Sequence, residues 1–199
     1  MQFSRLPALF FPSLIWRVKT RSKLIYLTFD DGPVPEVTPQ VLDILDAFGW
    51  KATFFCVGEN VVKYPDLYQE ILARGHRTGN HSYNHIRGFR YATEEYVQNV
   101  KKASEMIQSK LFRPPHGRIK LAQLKALRKE YDIVMWDVIT YDYDRKRSPE
   151  RILKTIRRNL RKGSVVVFHD SLKAKENVLE VLPKALAFWQ SKGYGCALL

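Results

Sequence analysis

The chain has 199 residues, a formal net charge of +13 and a hydrophobic content of 45%. That length fits one domain with a core that needs no disulfide or structural metal, and the periodic apolar content excludes a disordered chain. The two cysteines, Cys56 and Cys196, stand apart inside apolar runs. Neither belongs to a CxxC pair, so we predict that both are buried thiols.

Basic residues occur in two concentrations, the run at 145–147 and the set Arg157, Arg158, Arg161 and Lys162. Solvated helix faces commonly have this composition, and attraction to an anionic glycan or a membrane surface is the alternative. The sequence has no zinc knuckle, RNP-like run or Gly-rich phosphate loop, so we expect no nucleic-acid partner.

The N-terminal segment contains an apolar stretch at residues 6–16. This stretch is too short to span a bilayer as a helix, and Pro7 and Pro12 would interrupt one. No small-x-small cleavage site precedes the first predicted strand. We therefore expect residues 1–23 to pack on or flank a domain at residues 24–199, with an anchor or a surface-lying segment as the alternative. A cytoplasmic or membrane-peripheral location follows from this reading.

From residue 24 onward, strand and helix signals alternate with short connections. Apolar runs predict strands at 24–29, 52–57, 77–81, 110–114, 133–138, 164–169 and 196–199. Amphipathic segments with Pro, Ser or Thr starts and Gly stops predict helices at 38–49, 65–75, 93–109, 120–130, 148–163 and 177–192. Unalternating strands joined by helices indicate a parallel sheet covered on both faces, either doubly wound or closed into an irregular barrel.

Polar side chains follow the predicted strands at their carboxyl ends, where function collects in both architectures. They are Asp30, Asp31, His81, His85, Arg113, Asp142 and His169. The two histidines at i and i+4 can grip one ion, and two His plus a carboxylate is a common ligand set of catalytic zinc. Since neighbours at a strand end face opposite sides, one aspartate can bind the metal while the other acts as a base. An isolated HxxxH or Asp-Asp pair is more often a solvated surface feature.

The motifs at these strand ends resemble the five ordered motifs of the polysaccharide deacetylases, carbohydrate esterase family 4, which share a NodB-type homology domain. The segments are TFDDGP (28–33), HSYNH (81–85), RPPHG (113–117), WDVITYDY (136–143) and VFHD (167–170). The resemblance covers residues 24–199. It implies a single-domain, deformed (β/α)7 barrel that hydrolyses the linear N-acetyl amide of an amino sugar in peptidoglycan or a chitin-like oligosaccharide.

The resemblance also implies a role for each matching residue. Asp31, His81 and His85 would hold a divalent metal, most simply zinc, although cobalt, nickel, iron or manganese suit the same ligands. Asp30 would be the general base, and Arg113 would keep it ionised and oriented. His169 would be the general acid, with Asp142 tuning its proton affinity.

On the substrate side the resemblance assigns an oxyanion donor to the backbone of His116, with Pro115, Tyr143 and Val167 around the substrate. Here the sequence departs from the family: His116 replaces an aromatic residue, Tyr143 a tryptophan, Ile139 an aspartate and Val167 a leucine of the acetyl pocket. These departures affect the choice of substrate more than the reaction.

Two alternatives stay open at this point. One is a deacylase or deformylase of a lipid-linked amino sugar at the membrane face, favoured by the positive charge and the apolar N-terminal stretch. The other is a catalytically silent glycan-binding module. His76, outside the motifs, is expected to be a structural hydrogen-bonding residue.

Overall fold

The structure is a computed structural model, and it describes residues 11–199. Its strands are Leu24–Asp30 (β1), Thr53–Cys56 (β2), Arg77–Asn80 (β3), Leu111–Phe112 (β4), Asp132–Ile133 (β5), Val138–Ile139 (β6), Val165–His169 (β7) and Gly195–Cys196 (β8). Its α-helices are Thr38–Ala47 (α1), Gly58–Lys63 (α2), Pro65–Ala73 (α3), Thr93–Ser104 (α4), Leu121–Leu127 (α5), Pro149–Asn159 (α6) and Lys175–Ser191 (α7). Short 3-10 helices occupy Gly88–Arg90 and Pro115–Gly117.

All strand pairs are parallel, in the order β5-β4-β3-β2-β1-β7-β6, and β8 pairs with the start of β1. The order begins and ends with β5 and β6, which are consecutive in the chain, so the sheet curls back toward itself. The predicted deformed (β/α) barrel is therefore confirmed, and the doubly wound open sheet is excluded. In this architecture the carboxyl ends of the strands share one mouth.

One predicted strand, 133–138, is wrong as a single element. Its first part pairs with β4 and its last part with β7, because this segment must cross from one edge of the curled sheet to the other. The amide of Val134 donates to Phe112, that of Met135 to Ile15 and that of Asp137 to Val165. Three different acceptor segments cannot be served by one regular strand.

Alternation along β1 separates the barrel interior from the outer layer. The ring of Phe29 stacks against those of Phe54 and Phe168, with centroid distances of 4.9 and 5.9 Å. These rings belong to the same core cluster as the apolar residues of the helices that cover the sheet. Thr28 and Asp30 point the other way, since side chains alternate along a strand. The sheet thus carries an aromatic core on one face and polar groups toward the mouth on the other.

Several element ends differ from the prediction. The helix expected at 93–109 ends at Ser104, and the one expected at 148–163 ends at Asn159, where the next residue becomes extended. Thr38 does not cap its helix: its hydroxyl accepts from the Val34 amide and donates to Asp170.

Cys56 is buried as predicted, but Cys196 is only half-buried, and its sulfur accepts from the Lys51 amide.

The described part of the N-terminal segment, residues 11–23, lies against the barrel. Leu14 is buried in the same apolar cluster as Ile133, Ile15 forms a parallel bridge with Val134, and Arg17 forms an antiparallel bridge with Ser164. The prediction for residues 1–10, including the first part of the apolar stretch, lies outside the described residues. Among residues 11–199, no helix is long and apolar enough to cross a membrane.

Candidate active site

A cavity of about 570 Å³ opens at the carboxyl end of the strands. Seven of the predicted site residues line it: Asp30, Asp31, His81, His85, His116, Tyr143 and His169. Arg113 and Asp142 are fully buried and act through neighbours that line it. The strand-end convergence expected from the sequence is therefore present in the fold.

Arg113 lies inside the barrel and is 0% exposed. Its Nη1 donates to Asp30 Oδ1 at 2.6 Å and to the Thr28 hydroxyl at 2.8 Å, and its Nη2 donates to the Met135 carbonyl at 3.0 Å. The guanidinium also stacks on the Phe55 ring, 4.1 Å from the centroid. Burial lowers the pKa of Arg113, and the Asp30 carboxylate opposes that effect. A buried charge is tolerated only when it is paired in this way, so the position of Asp30 is fixed.

Asp31 follows the last residue of β1 and leaves the strand in a left-handed conformation, with φ of 84°. The expectation that Asp30 and Asp31 face opposite sides is therefore wrong: both line the cavity, because strand alternation ends at Asp30. Burial alone would raise the pKa of the Asp31 carboxyl. The hydrogen bond from His85 and the charges of His169 and His81 together outweigh burial, so the pKa lies below its ordinary value.

The Asp31 turn is held from behind by Asp170, which is 1% exposed. Asp170 Oδ1 accepts from the Gly32 amide at 3.0 Å, and its Oδ2 accepts from the Thr38 hydroxyl at 2.7 Å. A Cβ at Gly32 would lie 2.0 Å from Asp170, so only glycine fits there. The pKa of Asp170 is raised to about 7. Burial is the main cause of this rise, and the hydrogen bond from Thr38 opposes it. Asp170 was not among the predicted site residues, although it belongs to the VFHD motif.

His81 and His85 lie in a tight loop, not on a helix, with left-handed residues at Ser82 and His85. Asp31 Oδ1 is 3.2 Å from His85 Nε2 and 3.7 Å from His81 Nε2, and the three ligand atoms lie within 4.8 Å of one another. His81 Nδ1 donates to the Arg113 carbonyl at 2.8 Å, which leaves the Nε2 lone pair directed at the cluster. Burial lowers the pKa of His81 to about 4, so the ring is neutral near pH 7.

These three side chains fit a divalent metal ion. Two imidazole nitrogens and one carboxylate oxygen converge, and the remaining nitrogen of His81 is oriented by a backbone carbonyl, as in protein metal sites. Three protein ligands leave room for water and a substrate oxygen.

His169 ends β7 opposite Asp30, its register partner on β1. Its Nδ1 donates to Asp142 Oδ1 at 2.7 Å, and its amide donates to Asp142 Oδ2 at 2.8 Å. Asp142 also accepts from the Thr140 hydroxyl. Burial alone would lower the pKa of His169, but the charge and hydrogen bond of Asp142 outweigh it and raise the pKa to about 9. The imidazole is therefore protonated at neutral pH.

His116 has a left-handed backbone, with φ of 59°, and its ring lies 4.5 Å from the ring of His85. Burial first, and then the neighbouring His85 and Arg87, lower its pKa to about 4. Across the cavity, the Tyr143 ring meets the His169 ring edge-on at 4.8 Å. Both residues line the cavity, and their contact with a substrate stays a prediction.

Two predicted substrate residues do not line the cavity. Val167 lies on the same face of β7 as His169 but two residues deeper, paired with Thr28 and 0% exposed, so it occupies the layer beneath the mouth. Pro115 is buried at the start of its 3-10 helix. Ile139, noted as a departure, does line the cavity.

The cavity is also lined by residues that the prediction did not include, among them Arg87, Arg118, Trp136 and Lys173. Trp136 packs against the backbone of Gly117, where a Cβ would lie 2.5 Å from the ring. Trp136 begins the WDVITYDY motif, so the sequence could have indicated it as a site residue. Nothing in the sequence distinguishes the three cations, because exposed lysines and arginines are common on any surface. His76, in contrast, is remote from the cavity, and its Nδ1 accepts from the Ala52 amide as expected of a structural residue.

The fold and the cavity together define a barrel-type α/β protein with a candidate metal centre at the strand carboxyl ends. Residues 17–135 match the family model described as polysaccharide deacetylase. The chain belongs to this family.

Individual relatives agree with that assignment. The chain is 32% identical to a peptidoglycan-N-acetylglucosamine deacetylase of Bacillus cereus, over 90% of this chain and 87% of the relative. It is 31% identical to the peptidoglycan-N-acetylmuramic acid deacetylase PdaC of Bacillus subtilis, over 85% of this chain but only 37% of that longer protein. A crystal structure of a peptidoglycan N-acetylglucosamine deacetylase, bound to 4-naphthalen-1-yl-N-oxidanyl-benzamide, superposes with a TM-score of 0.90. That structure is 30% identical, and the match covers 100% of this chain and 95% of the other.

Proposed function

We propose that this protein is a metal-dependent hydrolase that removes N-acetyl groups from amino-sugar residues of a glycan such as peptidoglycan or a chitin-like oligosaccharide. The observation that carries the proposal is the adjacency of two groups. The Asp31, His81 and His85 cluster lies directly beside Asp30, a carboxylate held by a buried arginine. Family membership and the names of the relatives support the reaction class.

Asp31, His81 and His85 would hold the ion, and their mixed nitrogen and oxygen donors favour zinc among common divalent metals. When bound, such an ion supplies a Lewis acid for the amide carbonyl and makes a water molecule more acidic.

Asp30 is proposed as the general base. Its Oδ1 is engaged by Arg113, so the carboxylate cannot rotate freely, and it lines the cavity beside Asp31. A positioned carboxylate of this kind can take the proton from the attacking water as oxygen bonds to the acetyl carbon. Arg113 acts through Asp30 as a positioning residue.

His169 is proposed as the general acid. Breaking the C–N bond requires a proton on nitrogen, because an amide anion is a very poor leaving group. A pKa of about 9, raised by Asp142 against the effect of burial, keeps the imidazole charged and ready to donate from Nε2. The products are a free amine on the sugar and acetate.

The substrate is proposed to lie between His116 and Tyr143, with Trp136 as an aromatic platform. The left-handed backbone of His116 suits the close approach of an amide N–H to the developing oxyanion. Sugar rings stack on aromatic faces, and Trp136 and Tyr143 both line the cavity.

The test is release of amine and acetate from a panel of N-acetylated oligosaccharides, comparing metal-stripped protein with zinc-restored protein. The proposal predicts no turnover by the metal-stripped protein and restored turnover after zinc is added back. Amine and acetate should then form in equimolar amounts. Tight zinc binding with no product from any saccharide would overturn it in favour of a silent glycan-binding module. Turnover only on lipid-linked or N-formyl sugars would replace the substrate class and keep the chemistry.

A further inference from the structure

The charged residues of the cavity fall into two groups. Its carboxylates are already occupied: Asp30 pairs with Arg113, and Asp137 pairs with Arg161 and accepts from Ser164. Asp31 belongs to the metal cluster. The cations Arg87, Arg118 and Lys173, in contrast, form no salt bridge with any carboxylate of residues 11–199. The cavity therefore presents uncompensated positive charge to whatever enters it.

Arg87 is tied to the metal cluster by a short chain of contacts. Its Nε donates to His116 Nε2 at 3.4 Å, and the His116 ring lies 4.5 Å from the His85 ring. The Nη groups of Arg87 make no hydrogen bond with a residue of the described range. They remain available to a ligand, since Arg87 lines the cavity.

Arg118 reaches the same rim because two loops meet backbone to backbone. A Cβ at Gly88 would lie only 2.7 Å from the Arg118 carbonyl oxygen, so glycine allows the loop of Arg87 to close on the loop of Arg118. The contact is reinforced by Gln123, whose side-chain amide donates to the Gly88 carbonyl at 2.8 Å. Both arginines are exposed and line the cavity. They form a cationic rim, defined here as Arg87 and Arg118.

Lys173 stands on the opposite wall, its Nζ 5.5 Å from the Tyr143 ring centroid, and Tyr143 contacts His169. Positive groups thus flank the cavity on both the His85 side and the His169 side. A neutral N-acetylated saccharide offers these groups only uncharged oxygen atoms, so it cannot compensate their positive charge.

We propose that the cavity selects a saccharide that carries a carboxylate next to the N-acetylated sugar, and that Arg87 and Arg118 contact this carboxylate. The inference rests on the proposed deacetylase function and specifies its substrate. A guanidinium presents paired N–H donors that match a carboxylate in a bidentate arrangement. The carboxylate can come from a lactyl ether, as in muramic acid, or from a uronic acid, and the experiment separates the two.

The test compares kcat/KM for amine release with matched saccharides of equal length. One is an alternating N-acetylglucosamine and muramic-acid oligosaccharide, one alternates N-acetylglucosamine with a uronic acid, and each is paired with a form whose carboxyls are converted to primary amides. At low salt we expect at least one acid to exceed its own amide about tenfold, a size typical of charge-assisted hydrogen bonds at a partly exposed site. The preferred acid identifies the source of the carboxylate.

The double variant Arg87→Gln/Arg118→Gln should bring the acid-to-amide ratio to within about twofold of one, because only solvent-screened charge remains. The ratio cancels any general loss of activity or folded protein. Arg90→Gln is the matched control: Arg90 is exposed, lies in the 3-10 helix that directly follows Arg87 and does not line the cavity, so this variant should keep the wild-type ratio. A wild-type ratio near one for both acids, or a ratio unchanged in the double variant, would overturn the inference and leave the deacetylase function standing. No amine from any saccharide would remove the function itself.

Discussion

The buried charges at the centre of the cavity differ in kind from the exposed charges at its rim. Arg113, Asp30, Asp142 and His169 are at most 9% exposed, and each is paired within the barrel. Arg87 and Arg118 are exposed and have no carboxylate partner within residues 11–199. The charges of the centre are therefore paired before any substrate binds, whereas those of the rim can be paired only by a bound ligand. Changes at the centre should abolish the chemistry for every substrate, and changes at the rim should alter only the choice among substrates.

The largest effect is expected from His81→Ala, which removes a metal ligand. Because a bound cation contributes several kcal/mol to the transition state, turnover should fall by about a thousandfold or more, with loss of the bound ion. Metal content and amine release measured on the same sample check both. His76→Ala is the matched control: this buried histidine is outside the cavity, so the ion should stay while the protein becomes less stable. An ion retained at full affinity by the His81 variant would contradict the assignment.

Arg113→Met tests the central ion pair. Removing one partner of a buried pair leaves an unpaired charge, so the free energy of unfolding should fall by about 3–5 kcal/mol. Urea denaturation measures it, and the double variant Arg113→Met/Asp30→Asn should recover part of the stability without recovering activity. A single variant as stable as the wild type would mean that Asp30 does not depend on Arg113.

Asp142→Asn tests the tuning of His169 through the pH profile. With the pKa of His169 at about 9, the protonated acid and its activity are lost as the pH rises through 9. Without the Asp142 charge that pKa falls, so the basic limb of kcat should move to lower pH by about one unit or more. The same ion pair also stabilises the folded protein. This contribution is complete below about pH 6.5, the pKa of histidine in the unfolded chain, and it is lost as the pH rises through 9. An unmoved basic limb would exclude His169 as the titrating acid.

The smallest effect is expected at the rim when the ionic strength is raised. Exposed charges are screened within about 10 Å at 0.1 M salt and about 3 Å at 1 M, whereas buried pairs are screened much less. Wild-type kcat/KM for a carboxylated saccharide should therefore fall severalfold, while kcat/KM for its amide stays nearly constant. Equal salt effects on both saccharides would erase the distinction between centre and rim.

The sequence predicted the centre well because strand order alone brings its residues together. Parallel strands end at one mouth, so Asp30, His81, Arg113 and His169, each at or just after the end of its strand, had to converge once the barrel class was known. Motif resemblance added the pairing of Asp142 with His169, which spacing could not supply.

The misses have local physical causes. Alternation failed at Asp31 because the backbone turns left-handed there, and the strand at 133–138 divides because it must bridge both edges of the sheet. Val167 lies one layer too deep to line the cavity. The cationic rim could not be predicted, since its arginines come together only through the close contact at Gly88.

The most direct measurement is on Asp30→Asn, assayed for metal content and for amine release from an N-acetylated oligosaccharide in the presence of zinc. A base that is separate from the metal ligands predicts a single bound ion at wild-type affinity with turnover reduced about a thousandfold. Wild-type turnover in this variant would contradict the assignment of Asp30 as the base. Loss of the ion would place Asp30, instead of Asp31, in the metal cluster.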